Sequence, residues 1–287
     1  MDRVAATAPA STPTHASHGG RIRRELSDLL RNRRLAVELT RRTIHDRYRA
    51  SYLGLLWTFL SPLLLLLVYT IVFGMIVNTR SAFGISGSRY EFGLVLFAAL
   101  IPFSFFSEVL GSATSLVVGQ VSYVKRVVFP LQLLPVVSVL AGLVHAAAGL
   151  ILFVVGALAV LGRVPATAIA LPIVWAPHVV MTLAWVFVLA ALGVFLRDLT
   201  QIVSLALSAL FFLSPVFYPA SAMPEVLRPF YWLNPVAVVV ENSRRILVSG
   251  LWPEWNLLFA WLAVGLVFLV AAFALFVRLR PAFNDVL

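Results

Sequence analysis

The chain has 287 residues, of which 61% are hydrophobic and 12% are charged, and its net charge is +10. Soluble domains carry about a quarter charged residues, so this composition excludes an ordinary soluble protein and indicates one that crosses a membrane several times. The chain contains no cysteine, which excludes disulfides and thiolate metal sites.

The segment before the first apolar run divides into two parts. Residues 1–20 are rich in Ala, Ser, Thr, Pro and His, which predicts a disordered tail. Residues 21–52 combine many arginines with apolar side chains at helical spacing. This pattern predicts an amphipathic helix that lies on an anionic membrane surface. Its apolar positions are Ile22, Leu26, Leu29, Leu30, Val37, Ile44 and Tyr48.

Six apolar stretches follow and predict an all-α, polytopic membrane domain over residues 53–287. The predicted spans cover about 53–77, 92–118, 133–161, 172–196, 201–219 and 256–277. Of the 22 Lys and Arg residues, 16 fall on the side that holds both termini and six fall on the other side. The positive-inside rule therefore predicts that both termini are cytoplasmic.

Two polar residues lie inside predicted spans. Glu108, in the second span, is predicted either to face the bundle interior or an aqueous path, or to reach the membrane interface, and both alternatives remain open. His145, in the third span, shares a helical face with the small residues Gly142, Ala146 and Gly149. Because small residues allow close helix packing, His145 is predicted to make a packing hydrogen bond rather than to bind substrate.

The stretch SYVKRVVFP, residues 122–130, contains the chain's single lysine and lies in the predicted cytoplasmic loop between spans two and three. A basic pair beside a membrane is usually a topology anchor. The valines and the closing Pro130 instead fit a short interfacial helix that contacts a cytoplasmic partner. In that interpretation Tyr123 and Phe129 anchor the contact, and Lys125 and Arg126 lie at its rim.

The segment 220–255 lies outside the membrane in this topology and contains four prolines and several aromatic residues. It is long and apolar for a loop, which predicts short re-entrant gate helices between spans five and six. Tyr231 and Trp232 are candidate gate residues. Glu241 and Arg245 are four residues apart, which on a helix predicts an ion pair, with Arg244 pointing elsewhere.

Motifs for chemistry on nucleotides or metals are absent from the sequence. A P-loop needs Lys followed by Ser or Thr, and Lys125 is followed by arginine. The His, Asp and Glu residues lack metal-ligand spacing. These features make an enzyme the weaker interpretation and predict a chain with no cofactor of its own and no nucleic-acid partner.

Three stretches together resemble the membrane subunits of ABC exporters for lipid-linked polysaccharides, such as the O-antigen and teichoic-acid exporters. The first is Arg47 to Trp57 followed by Ser61-Pro62, and the second is Val124 to Pro130 followed by Leu133-Leu134-Pro135. The third combines Arg197-Asp198 with Ser214 to Pro219 and Leu233-Asn234-Pro235. The resemblance covers about residues 40–280.

The resemblance implies a homodimer in a bacterial inner or plasma membrane, joined by two separate ATPase subunits that bind ATP and Mg. The implied substrate is a polysaccharide on polyprenyl pyrophosphate, such as an O-antigen or a cell-wall galactan. Arg47 and Arg49, at the depth of lipid headgroups, are then candidates to bind the pyrophosphate. The alternative, that they anchor this segment to anionic lipids, remains open. The candidate conduit residues are Phe103, Phe105, Phe106, Glu108, Phe217 and Tyr218.

Two alternatives remain at this stage. One is an ABC permease of similar architecture that exports a drug or a small lipid. The other is a membrane glycosyltransferase or a scaffold without an ATPase partner.

Overall fold

The computed structural model describes residues 31–49, 51–73, 89–120 and 129–287, together with Ser27 and Leu29. The predicted tail at 1–20 and most of the loop around Lys125 lie outside these residues. The described residues form helices and connecting turns and contain no strand. The all-α prediction is therefore confirmed for them.

The helices follow the order of the predicted segments. In chain order they are α1 Arg33–Tyr48, α2 Trp57–Ile71, α3 Arg89–Ala113, α4 Leu133–Leu161, α5 Leu171–Leu192, α6 Leu199–Leu213, α7 Arg228–Leu233, α8 Pro235–Arg244, α9 Trp255–Leu279 and α10 Phe283–Val286. A turn of 3-10 helix at Ala166–Ala170 leads directly into α5.

Four helices among the described residues are long and apolar enough to cross a membrane, namely α3, α4, α5 and α9. The helices α2 and α6 are apolar but have only 15 residues each. At a rise of 1.5 Å per residue they extend about 22 Å, which is less than the roughly 30 Å of a hydrocarbon core. The structure therefore supports four of the six predicted spans by length.

Helix α3 lies at the centre of the bundle. It packs against α2, α4, α5, α6 and α8. In its most apolar stretch 83% of the residues are buried, against 28% in α4 and in α9. Side chains of α3 can therefore form a site together with side chains from several other helices.

Small residues set the distance between α3 and α4. A Cβ atom added at Gly149 would lie 3.4 Å from Ile101, and one added at Gly156 would lie 3.0 Å from Leu94. At Gly142 an added Cβ would overlap Val109. The predicted close packing through Gly142 and Gly149 is confirmed, and it brings the polar residues of the two helices within reach of each other.

Helix α1 lies against the beginning of α4. Its Ala36 is buried and packs with Leu133 and Val137. Val37 lies about 100° around the same helix and is 65% exposed. The helix therefore uses one face for contact with α4 and keeps an exposed apolar position beside it. Thr40 is also buried, and Arg47 lies seven residues after it. Because seven residues make about two turns of an α-helix, Arg47 lies on the same inward-packing face.

Candidate functional site

Arg47, Glu108 and His145 form one polar cluster at the junction of α1, α3 and α4. Arg47 Nη1 donates to Glu108 Oε1. His145 Nδ1 lies 2.6 Å from the same oxygen and donates to it. The two nitrogens are 2.8 Å apart because both approach one carboxylate oxygen. Glu108 and His145, which follow Arg47 by 61 and 98 positions in the sequence, thus meet it in one site.

This cluster lines a cavity of about 230 Å³. The residues that line it also include Thr58 and Ser61 from the start of α2 and Ser104 from α3. The Thr58 hydroxyl is buried and has no hydrogen-bond partner among the described residues. A buried hydroxyl without a partner is rare, because losing its bonds to water destabilises the fold.

A second opening, a groove of about 400 Å³, lies between α2, α3 and α6. Four serines line it, Ser104 and Ser107 from α3 and Ser204 and Ser208 from α6. The Ser204 and Ser208 hydroxyls each donate 2.9 Å bonds to the carbonyl four residues earlier, which leaves their oxygen lone pairs directed outward. The groove therefore presents a row of hydroxyls inside otherwise apolar helices.

The groove and the cavity share part of their walls. Leu65, Leu100 and Ser104 line both of them. The cavity with the Arg47 cluster therefore lies next to the groove, on the same side of α3.

Aromatic rings crowd one end of the groove. Tyr69 and Phe211 line the groove, and both contact Phe217, with ring centroids 5.2 and 4.9 Å away. Phe73 stacks on Phe217 at 4.0 Å. Phe217 is itself only 5% exposed. The predicted conduit residue Phe217 is thus the centre of a buried aromatic cluster that closes this end of the groove.

Two polar links hold the segment after α6 against the start of α8. Asn234 Nδ2 donates a 2.9 Å bond to Ser214 Oγ. Its Oδ1 accepts bonds from the backbone N–H groups of Val236 and Ala237, which caps α8. The two motifs SPVFYP and LNP, 20 residues apart, are therefore parts of one structural unit.

Arg244 completes this unit from the far end of α8. Its Nη2 donates to the carbonyl of Pro215 at 2.7 Å and to that of Val216 at 3.2 Å. Its Nη1 donates to Glu241 at 2.8 Å. The guanidinium is almost fully buried, with 6% of its side chain exposed. A buried cation of this kind needs all of these partners to offset the loss of water.

The predicted pair of Glu241 with Arg245 is wrong. Glu241 pairs with Arg244, and Arg245 instead lies 3.4 Å from Glu254. The α-helix ends at Arg244 and a π-helical turn runs over Arg245–Ser249. The backbone N–H of Arg245 still bonds the Glu241 carbonyl, as in an α-helix, so the helical spacing itself is kept. The side-chain partners differ because Arg245 reaches Glu254 and the Trp252 carbonyl, which belong to the segment that follows the turn.

Comparison with known proteins decides the family. A model of the ABC-2 type transporter family matches residues 34–248. The chain is 33% identical over 265 residues to the O-antigen export system permease protein RfbA of Myxococcus xanthus, covering 91% of this chain and 98% of that protein. The chain belongs to the ABC-2 type transporter family.

Other permeases of polysaccharide export systems are also similar. The O-antigen export system permease protein RfbA of Klebsiella pneumoniae is 23% identical over 255 residues, covering 88% of this chain and 95% of that protein. The polysialic acid transport protein KpsM of Escherichia coli is 25% identical over 210 residues, covering 73% and 79%. The resemblance inferred from the sequence is confirmed at the level of the family.

Only part of the predicted coupling segment of this ABC-2 permease can be placed. Tyr123, Lys125 and Arg126 lie outside the described residues. Phe129 is half-buried and packs on the permease's own hydrophobic cluster around Leu131 and Phe283. The carbonyl of Pro130 accepts a bond from the N–H of Leu133 at the start of α4. The end of the segment is thus attached to the body of the permease.

The remaining predicted residues occupy several environments in the ABC-2 permease. Phe103 lines the groove, Phe105 lines the Arg47 cavity, and Phe106 stacks on His178 at 5.6 Å. Tyr218 donates to the Phe212 carbonyl, Tyr231 is buried, and Trp232 and Arg49 are exposed. The structure therefore brings together Arg47, Glu108 and Phe105 but leaves Arg49 apart as an exposed residue.

Sequence reasoning missed the four groove serines. Thr200, Ser204 and Ser208 recur every four residues in the predicted fifth span, which places them on one helical face. Polar residues on one face of an apolar helix indicate a side that is not in contact with lipid. That signal was available in the sequence of the permease, whereas the opposing serines of α3 needed the packing of the helices.

Proposed function

We propose that this permease is the membrane subunit of an ATP-driven exporter that moves a polysaccharide linked to a polyprenyl pyrophosphate across a bacterial inner membrane. Two copies of the chain form the transport path, and a separate ATPase subunit binds each copy from the cytoplasm. The proposal counts α2 and α6 as the first and fifth of six spans and treats the segment 220–255 as the outer gate.

The serine-lined groove is the observation that carries this proposal. Ser104, Ser107, Ser204 and Ser208 offer hydroxyl groups without fixed charge. Such groups exchange hydrogen bonds readily with the hydroxyls of a sugar chain, and the neighbouring rings of Tyr69 and Phe211 can stack on sugar faces. Export of an apolar drug would be served better by a groove without hydroxyls.

The relatives support the same substrate class. Their names describe export of O-antigen and transport of polysialic acid, and both are sugar polymers. The family description and the missing P-loop together support a separate ATPase subunit. Apolar side chains exposed along α2, including Leu63, Leu67 and Val68, support contact with lipid or with a second copy.

Filling the groove tests the proposed path. Changing both Ser204 and Ser208 to leucine replaces two hydroxyls by bulky apolar groups at exposed positions, so the fold should tolerate it. We expect surface polysaccharide to fall at least tenfold and lipid-linked polymer to accumulate inside the cell. The measurement is polymer blotting of intact and lysed cells in a strain that depends on this permease.

Leu205 supplies the matched control for this experiment. It lies on the same helix, is 74% exposed and does not line the groove. Leu205→Phe should therefore leave export unchanged. Normal surface polymer from the double leucine variant, present in the membrane at normal abundance, would contradict the groove as the polysaccharide path.

The coupling segment gives a second test of the proposed function. Tyr123→Ala keeps every charge, so a segment that only anchors topology should tolerate it. If the segment docks on an ATPase subunit, loss of an aromatic anchor weakens binding by about 2 kcal/mol or more. We then expect reduced co-purification of the ATPase and reduced export, whereas Lys125→Arg should be mild.

Phe129→Ala is less informative for coupling, because Phe129 also packs on the permease's own core. Membrane insertion of the Tyr123→Ala variant should be checked first by its abundance in the membrane fraction. Recovery of the ATPase subunit and export at the level of the unmodified permease would leave the segment as a topology anchor.

A further inference from the structure

The cavity at Arg47 has the composition of a site for an anion. Arg47 donates to Glu108 through Nη1, and this bond leaves Nε and Nη2 as further donors. Thr58 and Ser61 add hydroxyl donors from the first turns of α2. The same end of α2 carries the positive end of the helix dipole. Donors from three sources thus surround one small volume.

We propose that this cavity binds the diphosphate of the lipid-linked substrate, and that Glu108 is a resident anion which the diphosphate displaces from Arg47. This inference rests on the proposed function and deepens it, because it assigns the charged part of the substrate to a named site. Arg47 exchanges one oxygen acceptor for another, and the Thr58 hydroxyl gains the partner that it lacks among the described residues.

The position of the cluster allows this exchange. The side chains of Arg47 and Glu108 are 37% and 32% exposed, so an entering group can reach both of them. His145 is more deeply placed, with 11% of its side chain exposed. When Arg47 turns to the diphosphate, His145 keeps its hydrogen bond to Glu108. The carboxylate is therefore never left without a partner inside the membrane domain.

The size and surroundings of the cavity fit a headgroup rather than a whole ligand. Its volume of about 230 Å³ is below the roughly 300–1,000 Å³ of pockets for drug-sized molecules. The shared wall of Leu65, Leu100 and Ser104 connects it to the serine-lined groove. A substrate with its diphosphate at Arg47 would therefore have its first sugar at the entrance of the groove.

The test is binding of a short polyprenyl pyrophosphate to the full-length permease in nanodiscs of zwitterionic lipid. Radiolabelled geranylgeranyl pyrophosphate is the probe. Arg47→Gln removes the charged donor, so affinity should fall tenfold or more. Glu108→Gln removes the competing anion, so affinity should rise several-fold. A purely structural ion cluster predicts no gain of affinity in the second variant.

Thr58→Val separates binding from stability. The change is close to isosteric and removes a hydroxyl that has no partner in the part of the chain that the structure describes. We expect weaker probe binding by several-fold together with an unchanged or higher melting temperature. Arg42→Gln is the matched control on α1, because Arg42 is 69% exposed and pairs only with Asp46 one turn away in the contacts of the described residues. Its affinity should be unchanged.

Competition identifies the source of the phosphate. Excess inorganic pyrophosphate should displace the probe, whereas nanodiscs rich in phosphatidylglycerol should not if the site selects a diphosphate. Loss of probe binding in phosphatidylglycerol nanodiscs would assign the cavity to a membrane lipid and overturn the inference. Equal affinity of the unmodified, Arg47→Gln and Glu108→Gln permeases would overturn it as well.

The results distinguish failure of this inference from failure of the proposed function. If the cells export polysaccharide but the purified permease shows no Arg47-dependent binding, the inference fails and the proposed function stands. If the probe binds as expected but loss of the permease leaves surface polysaccharide unchanged, the cavity is a diphosphate site and the proposed function fails.

Discussion

Replacing Arg244 with methionine is expected to abolish export and to destabilise the permease strongly. The buried guanidinium bonds Glu241 and the carbonyls of Pro215 and Val216, and it joins α8 to the segment after α6. Methionine has a similar length but leaves a carboxylate and two carbonyls without their donor. Breaking a buried pair in this way costs about 3–5 kcal/mol. The measurements are the melting temperature in detergent and surface polysaccharide.

Arg245 provides the control in the neighbouring position. Its side chain is 33% exposed, and it lies 3.4 Å from Glu254 and from the Trp252 carbonyl. An ion pair with this exposure contributes about 0–1 kcal/mol, so Arg245→Met should be mild. Equal loss of stability in the two methionine variants would contradict the buried position of Arg244. Arg244→Lys should also fail, because one ammonium group cannot reproduce the fork of the guanidinium.

Gly193→Ala is expected to have the second large effect. Gly193 ends α5 and lies against the backbone of Thr114, at the end of α3. A Cβ atom at Gly193 would overlap the Thr114 carbonyl oxygen, and it would lie 3.0 Å from the Leu189 carbonyl. Backbone atoms cannot move aside as a side chain can, so the two helix ends must separate. Such overpacking costs about 1–3 kcal/mol or more.

Separation of the ends of α3 and α5 would disturb the hydrogen bond between Thr114 and Thr200, which joins the end of α3 to the beginning of α6. We expect a lower melting temperature, lower abundance in the membrane and less exported polysaccharide. Gly119→Ala is the control, because a Cβ atom there has no neighbour within 4 Å among the described residues. A stable, active Gly193→Ala permease would show that α3 and α5 do not meet this closely.

Local patterns in the sequence predicted most of the helices. The third predicted span, 133–161, has the same bounds as α4, and the sixth, about 256–277, lies within α9. Apolar runs predict these helices because a helix satisfies its backbone hydrogen bonds internally, and apolar side chains need no contact with water. The small residues Gly142 and Gly149 also predicted close packing, since the absence of a side chain is a property of the residue itself.

The partners of the charged residues were decided only by the tertiary structure. Its place before the first span singled out Arg47 in the sequence, but its bond to Glu108, 61 residues later, depends on how the helices pack. Glu241 pairs with Arg244 instead of Arg245, and Arg245 lies by Glu254, a partner that residue spacing within the helix does not reveal. By itself the sequence determined which segments are apolar helices and where the cations lie. Only the packing of those helices decided which cation meets which carboxylate, because such pairs form over a few ångströms between segments that are far apart in the chain.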